Sequence, residues 1–234
     1  MDDLDRSLVN GFQIFQGVPA DDIDAVLALA RSRRFPAGTA VFDQGAMATE
    51  FFLLLHGRLK VQQTAADGQQ VVVRRVNPGE LFGIAQAMQR PDYPATAVAV
   101  VESLALVWPA SQWSTFMTRN PAFAAGALRT VGDRLQDAHT RIRELSTEEV
   151  ERRIAHAILR LVNQAGRKTP EGIEIDFPVT REDIAEMSGT TLHTVSRTMS
   201  GWQVKGLVTL GRKRVTVLDP HRLFILAEGR EPSP

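Results

Sequence analysis

The stretch "VTREDIAEMSGTTLHTVSRTMSGWQVKGLV", Val179 to Val208, decides the fold of the C-terminal part of the chain. Thr180 with Asp183 three residues later is a helix N-cap signal, and the helix it opens, "REDIAEMS", stops at Gly189. Thr191 caps a second helix, "LHTVSRTMSGW", in which Val195, Met199 and Trp202 recur at steps of four and three and predict the buried face. Two short helices around a glycine-containing turn make a helix-turn-helix. Its second helix leaves Leu192, His193, Thr194, Ser196, Arg197 and Ser200 pointing away from the core.

A short polar helix is by itself only a solvated surface, so its neighbours decide what it does. From Met187 to Leu218 the chain carries Arg197, Lys205, Arg212, Lys213 and Arg214 and no acid, a locally positive field in a chain whose net charge is +0. "GLVTLGRKRVTVL" reads as a hairpin whose turn presents Arg212 and Lys213, a wing suited to phosphates. Arg197 has the geometry to read guanine bidentately, and Leu192 is able to touch a thymine methyl. The combination implies a partner of double-stranded DNA.

Working outward, 234 residues with 44% hydrophobic content suit two globular domains. From about Phe35 to Trp108, short apolar–polar alternations punctuated by Gly and Pro predict an antiparallel unit of about eight strands, a roll or barrel, with Asp67-Gly68 as one hairpin turn. Before it, Asp21 to Arg33 has helical spacing at Ile23, Val26, Leu27 and Ala30. After Pro121, the residues Ala124, Leu128, Val131, Leu135, Ala138, Ile142 and Leu145 form a heptad stripe, which predicts a dimerisation helix rather than one whose stripe lies on the roll. Ser146 followed by Glu149 reads as a capping box that starts a new helix at Thr147, carrying Val150, Ile154, Ile158, Leu161 and Val162 to an end near Gly166. "IEIDFPVT" predicts a short strand, and "EGREPSP" a frayed tail. The expected fold class is therefore α+β. Residues 1–120 form the roll with N-terminal helices, 121–145 the dimerisation helix and 146–234 a winged helix-turn-helix.

Composition also excludes. The chain has no cysteine, so it supplies neither disulfides nor thiolate ligands for zinc or an iron–sulfur cluster. The acidic start "MDDLDRSLVN" has no basic segment leading into an apolar run, and no apolar run nears the roughly 20 residues that span a bilayer, so a cytoplasmic protein without a membrane partner is expected. A roll-shaped metalloenzyme needs about three histidines and a carboxylate on adjacent strands. The roll holds His56 alone and no nucleophile–base set stands out, so no enzyme is expected.

The chain resembles the Crp/Fnr family of bacterial transcription regulators over nearly its whole length. The resemblance is carried by "PAGTAVFDQG" (Pro36 to Gly45), "NPGELFG" (Asn77 to Gly83), the heptad helix and the stretch quoted first. It implies a β-roll effector domain of the cyclic-nucleotide-binding kind, a dimerisation helix and a winged helix-turn-helix. Such a homodimer binds a pseudo-palindromic operator at half-sites about one helical turn apart, with RNA polymerase as a further partner. Carried over position by position, Leu192, His193, Ser196 and Arg197 face bases and Thr191 and Thr194 lie nearer phosphates, with Thr180, Arg181, Thr190, Arg212 and Lys213 completing the DNA contacts. Many members have Glu where this chain has His193. A glutamate accepts from cytosine N4 whereas an imidazole donates, so the half-site is expected to differ from the common TTGA type. The stripe implied for dimerisation is Leu128, Val131, Leu135, Ala138, Ile142 and Leu145, with a hinge at Leu145 to Thr147.

The resemblance also bears on the effector. Cyclic-AMP members share a Gly-Glu pair after the "PGxxxG" turn and an Arg-Ser pair about ten residues on; here Ile84 follows Gly83 and Pro94-Ala95 stands in place of Arg-Ser. A cyclic phosphate would meet no charged partner, so cyclic AMP is not the expected effector. The stretch "AQAMQRPDYPATAVAVVESLAL" is more similar to the nitrogen-oxide-responsive branch, which controls denitrification genes, and this implies nitric oxide sensed through haem. The expected effector pocket is apolar, lined by Phe82, Ile84, Met88, Leu128 and Val131, with His56, His139, a Met or Tyr93 as the only haem ligands on offer. The alternative is an effector-independent regulator, or an architectural DNA-binding protein whose roll is only a scaffold.

Overall fold

The computed structural model describes residues 6–9, 11–66, 68 and 70–229, which fall into two compact units meeting between Gln136 and Asp137. In the N-terminal unit α1 (Ala20–Ala28) precedes eight strands: β1 (Arg31–Phe35), β2 (Ala40–Phe42), β3 (Glu50–His56), β4 (Leu59–Thr64), β5 (Gln70–Val76), β6 (Leu81–Phe82), β7 (Thr96–Ala99) and β8 (Ser103–Pro109). They form two antiparallel sheets, ordered β1-β8-β3-β6 and β2-β7-β4-β5. The short helix α2 (Trp113–Arg119) and the long α3 (Pro121–Thr147) follow.

The first sheet is buried on both faces, which is why "EFFLLLH" is a nearly continuous apolar run. Phe52, Leu54, Ala105 and Val107 face the second sheet and meet Leu59, Val76, Ala97 and Ala99. Phe51, Leu53, Leu106 and Trp108 face the other way, onto Ile23, Val26 and Leu27 of α1, Trp113 and Phe116 of α2, and Phe123 and Ala127 of α3. The Trp108 indole donates to the Val26 carbonyl at 2.8 Å, so the largest side chain of that layer leaves no buried polar atom unpaired.

The long helix α3 presents two seams. Phe123 and Ala127, one turn apart, are buried on the roll, whereas Leu128, Val131, Leu135, Ile142 and Leu145 of the heptad stripe stay exposed, Leu128 at 73%. A stripe that does not serve its own roll is what a helix reserved for another surface requires.

In the C-terminal unit, α3 ends and α4 (Val150–Ala165), β9 (Gly166–Lys168), β10 (Ile173–Ile175), α5 (Arg181–Ser188), α6 (Leu192–Val204), β11 (Val208–Gly211), β12 (Arg214–Val217) and α7 (Pro220–Ala227) follow. The small sheet is ordered β11-β12-β10-β9. Its core joins Ile154, Ile158 and Leu161 of α4, Ile184 of α5, Val195, Met199 and Trp202 of α6, Val217 and Leu223.

Several expectations need correction. Helix α1 stops at Ala28, not Arg33: Arg31–Phe35 is a strand paired with β8, and the Arg33 guanidinium donates to both Glu50 oxygens at 2.7 and 2.8 Å. Pairing with β8 outweighed a helical pattern that rested on Ala30 alone beyond residue 28. The capping box at Ser146 does not form. The Ser146 and Thr147 hydroxyls bond back to the carbonyls of Ile142 and Arg143, the helix runs on to Thr147, and Glu149 is the next N-cap without a side-chain bond. The hairpin β4–β5 is present with Gly68 at φ +84°, but Asp67 lies outside the described residues, as does the tail from residue 230. Strand β9 and helices α2 and α7 had no clear sequence signal.

Candidate nucleic-acid interface

The interface is built from the caps of α5 and α6. The Thr180 hydroxyl accepts from the Asp183 amide at 3.0 Å while the Asp183 carboxylate accepts from the Thr180 amide at 2.8 Å, a reciprocal box that fixes where α5 starts. It ends at Gly189, whose φ of +61° is left-handed and whose added Cβ would lie 2.4 Å from the Leu145 side chain. The chain turns over Gly189, Thr190 and Thr191, and the Thr191 hydroxyl accepts from the Thr194 amide at 3.2 Å to open α6. Arg153 of α4 holds the turn from beneath, donating its Nε to the Ser188 carbonyl at 2.9 Å.

The buried face of α6 is the one the spacing predicts: Val195, Met199 and Trp202 are buried, and the Trp202 indole donates to the Glu151 carboxylate at 2.7 Å. Leu192, His193, Arg197 and Ser200 are exposed, Leu192 at 50%, and Thr194 and Ser196 are half-buried beside them. Arg181 and Thr191 are exposed, and Thr180 and Thr190 are half-buried. Replacing Thr180 with Ala removes the hydroxyl half of the capping box, the bond from the Asp183 amide, together with the hydroxyl's own bond to the Asp183 carboxylate, and leaves the backbone half in place. The expected cost is about 1–2 kcal/mol, read as a lower urea midpoint, with amide exchange fastest in the first turn of α5.

The hairpin β11–β12 turns at Arg212 and Lys213, with Lys213 at φ +56° and its carbonyl accepting from the Val179 amide at 3.0 Å. That bond ties the wing tip to the residue just before the α5 cap. Arg212 and Lys213 are exposed. Arg214 is 3.6 Å from Glu174, which also meets Arg167 at 3.3 Å. Among the described residues no ion pair engages Arg197, Lys205, Arg212 or Lys213, so their charge faces solvent. An open cleft of about 600 Å³ lies between this wing and β9–β10, lined by Arg212, Lys213 and Arg214 on one side and Arg167, Glu174 and Asp176 on the other. Sequence reasoning missed Arg167 and Glu174 because the hairpin that brings them to the wing is set by strand pairing, not by local pattern.

In the N-terminal unit the residues expected to line an effector pocket do not share one cluster. Phe82 stacks on Phe52 with ring centroids 4.9 Å apart inside the sheet sandwich, Ile84 belongs to the layer under α1 and α2, and Met88, Leu128 and Val131 are exposed. The side chains do not fit an enclosed haem: His56 and His139 are both exposed, and the Tyr93 hydroxyl donates to the Glu50 carbonyl at 2.7 Å and accepts from its amide. Burial raises the Tyr93 pKa, opposed by its backbone bond to Glu50. A haem needs an axial donor that opens on a cavity. Among the described residues there is no group of three or more His, Cys, Asp or Glu able to hold a metal ion, and no helix long and apolar enough to cross a membrane.

Comparison with known proteins agrees with this architecture. The cyclic nucleotide-binding domain family matches residues 32–120, and the Crp-like helix-turn-helix domain family matches residues 152–224. The chain is 28% identical over 221 residues to the cyclic AMP receptor protein of Thermus thermophilus, covering 94% of this chain and 99% of that one. It is 26% identical over 191 residues to the global nitrogen regulator of Synechococcus elongatus, covering 80% and 85%. Among solved structures, FixK2 from Bradyrhizobium japonicum superposes with a TM-score of 0.74 at 18% identity, covering 88% of this chain and 99% of that one. With a roll, a long helix and a capped helix-turn-helix all in place, the chain belongs to the Crp/Fnr family of DNA-binding transcription regulators.

Proposed function

We propose that the protein acts as a homodimer on a pseudo-palindromic operator, with α6 of each protomer in a major groove and the wing on the flanking phosphates. Its affinity for DNA is switched by an effector in the roll domain. The observation that carries this reading is the division of α6. Val195, Met199 and Trp202 anchor it, while Leu192, His193 and Arg197 stand exposed beside the uncompensated charge of Arg212 and Lys213. Arg197 reads a guanine through its guanidinium fork, Ser196 and His193 contact neighbouring base edges, Leu192 touches a thymine methyl, and Thr180, Arg181, Thr190, Thr191 and Thr194 serve phosphates. RNA polymerase is the partner that such a complex recruits or blocks.

The test is selection of operators from a random pool, followed by affinity measurements. Arg197→Ala is expected to weaken the selected operator about 10- to 100-fold and relax preference at one base pair per half-site. His193→Glu is expected to change the preferred base at a different position. Unchanged preferences in both variants would defeat the groove assignment.

The uncharged Ile84, Pro94 and Ala95 argue against a cyclic nucleotide as the effector. Nitric oxide sensed through haem rests on the sequence resemblance alone, since the exposed His56 and His139 supply no enclosed axial ligand. The absorption spectrum of the purified protein mixed with haem decides it: a shifted Soret band supports haem, and an unshifted one removes it.

A further inference from the structure

Helices α3 and α4 are joined by two residues, Glu148 and Glu149, so the angle between them changes with a few dihedrals unless side chains fix it. At the pivot, Arg153 of α4 donates Nη1 to the Glu148 carbonyl at 2.8 Å and Nε to the Ser188 carbonyl at 2.9 Å, which ties the connection to the end of α5. A second tie stands away from the pivot. Glu144, in the last turn of α3, has only 6% of its side chain exposed, and both its oxygens accept from Arg160 Nη1, at 2.6 and 2.8 Å. At about 1.5 Å per residue, Arg160 lies about 15 Å along α4 from its start, so a slack of about 1 Å in this pair corresponds to a rotation of about 4° between the helices.

A carboxylate taken out of water is kept at a cost that pairing merely offsets, and an apolar side chain of similar volume often fills such a site at equal or better stability. What the ion pair supplies and an apolar contact does not is direction, because the oxygens must stand at one distance and bearing from Nη1. Its two partners belong to elements with different tasks. Ile142, two residues before Glu144, is exposed on the stripe of α3, whereas α4 carries Ile154, Ile158 and Leu161 into the same core as Val195, Met199 and Trp202 of α6. The pair therefore sets how α6 stands relative to the end of the stripe.

We propose that Glu144 and Arg160 are positioning residues that determine which spacing of two half-sites the protein accepts. This rests on the reading of the protein as a homodimer on a pseudo-palindromic operator, in which the stripe meets its copy and each α6 enters a major groove. One added base pair shifts a half-site by about 3.4 Å and turns it by about 35°. A dimer whose α6 helices are held at one separation matches one spacing and loses affinity at every other. One whose α3–α4 angle is loose reaches more spacings but binds the best one less tightly, because its effective concentration is spread over more arrangements.

The test is a set of affinity titrations of the full-length protein on operators built from the half-site selected from the random pool. They comprise the symmetric operator, versions lengthened or shortened at the centre by one and two base pairs, and an isolated half-site. The parent is expected to favour one spacing about 30-fold or more over the others. Glu144→Leu removes the carboxylate and leaves the partly exposed Arg160 able to hydrate. It is expected to weaken the best spacing about 5- to 20-fold, to narrow the range across spacings about 5-fold or more, and to bind the isolated half-site within about 2-fold of the parent. Since a single nitrogen serves both oxygens, Arg160→Lys should keep the parent's profile and Arg160→Gln should flatten it. Should Glu144→Leu fail to fold, the contrast between Arg160→Lys and Arg160→Gln carries the test. A profile as sharp as the parent's in the Leu and Gln variants, or an equal loss at the isolated half-site and the spaced operators, overturns the proposal. A parent with no preferred spacing removes the two-half-site reading and the proposal with it, whereas a sharp parent whose variants stay sharp removes the positioning role alone.

Discussion

A chain carrying Leu135→Glu and Ile142→Glu together is expected to run at monomer mass and to bind its operator about 100- to 10,000-fold more weakly than the parent. Both side chains lie on the exposed stripe of α3 and neither belongs to the buried clusters of its own unit, so the substitutions cost little in the single chain. In a paired helix they place four carboxylates in an apolar seam, where unpaired charge is strongly disfavoured. On the proposed homodimer reading the loss at the operator is large because the second half-site is bound intramolecularly, at an effective concentration that a monomer forfeits. Analytical ultracentrifugation reads the mass and a mobility-shift titration the affinity. A double variant that remains dimeric would remove the stripe from the interface, and one that becomes monomeric with unchanged affinity would remove dimerisation from DNA binding.

Trp202→Ala is the substitution expected to damage the C-terminal unit most. Trp202 is almost fully buried at the junction of α6 with the rest of its core, and truncating such a ring costs about 3–5 kcal/mol through lost transfer energy and the cavity left behind. The indole bond to Glu151 at 2.7 Å goes with it. Trp202→Phe keeps most of the volume and loses that bond, so about 1–2 kcal/mol is expected. Because the chain has two units, the appropriate readout is amide exchange in α5 and α6 rather than a single global midpoint. The Ala variant should expose those amides and lose operator binding, while β3 and β8 keep their protection. Retained protection in α6 would mean that Trp202 is not the residue that seats this helix.

How much of this was readable in advance varies element by element. The helix-turn-helix was, because its determinants are local: two threonine caps, a left-handed glycine and a four–three repeat of Val195, Met199 and Trp202 each act within a few residues of themselves. The stripe on α3 was readable for the same reason. Strand β1 was not, because "RSRRF" has no strong preference of its own and is held by its ladder to β8 and by the pairing of Arg33 with Glu50, 17 residues away. The failed box at Ser146 shows the same limit from the other side: a hydroxyl close to a helix end has two acceptors or donors within reach, and the i−4 carbonyl won.

The candidate sites divide along the same line. Periodicity and residue type determined, from the sequence by itself, which side chains of α6 and of the wing face outward, since exposure on a capped amphipathic helix follows from its apolar stripe. Only the tertiary structure decided where Glu144 goes. On the helix pattern it is one more polar residue beside a heptad stripe, and its meeting with Arg160 depends on the angle at which α4 leaves the end of α3, which no local periodicity encodes.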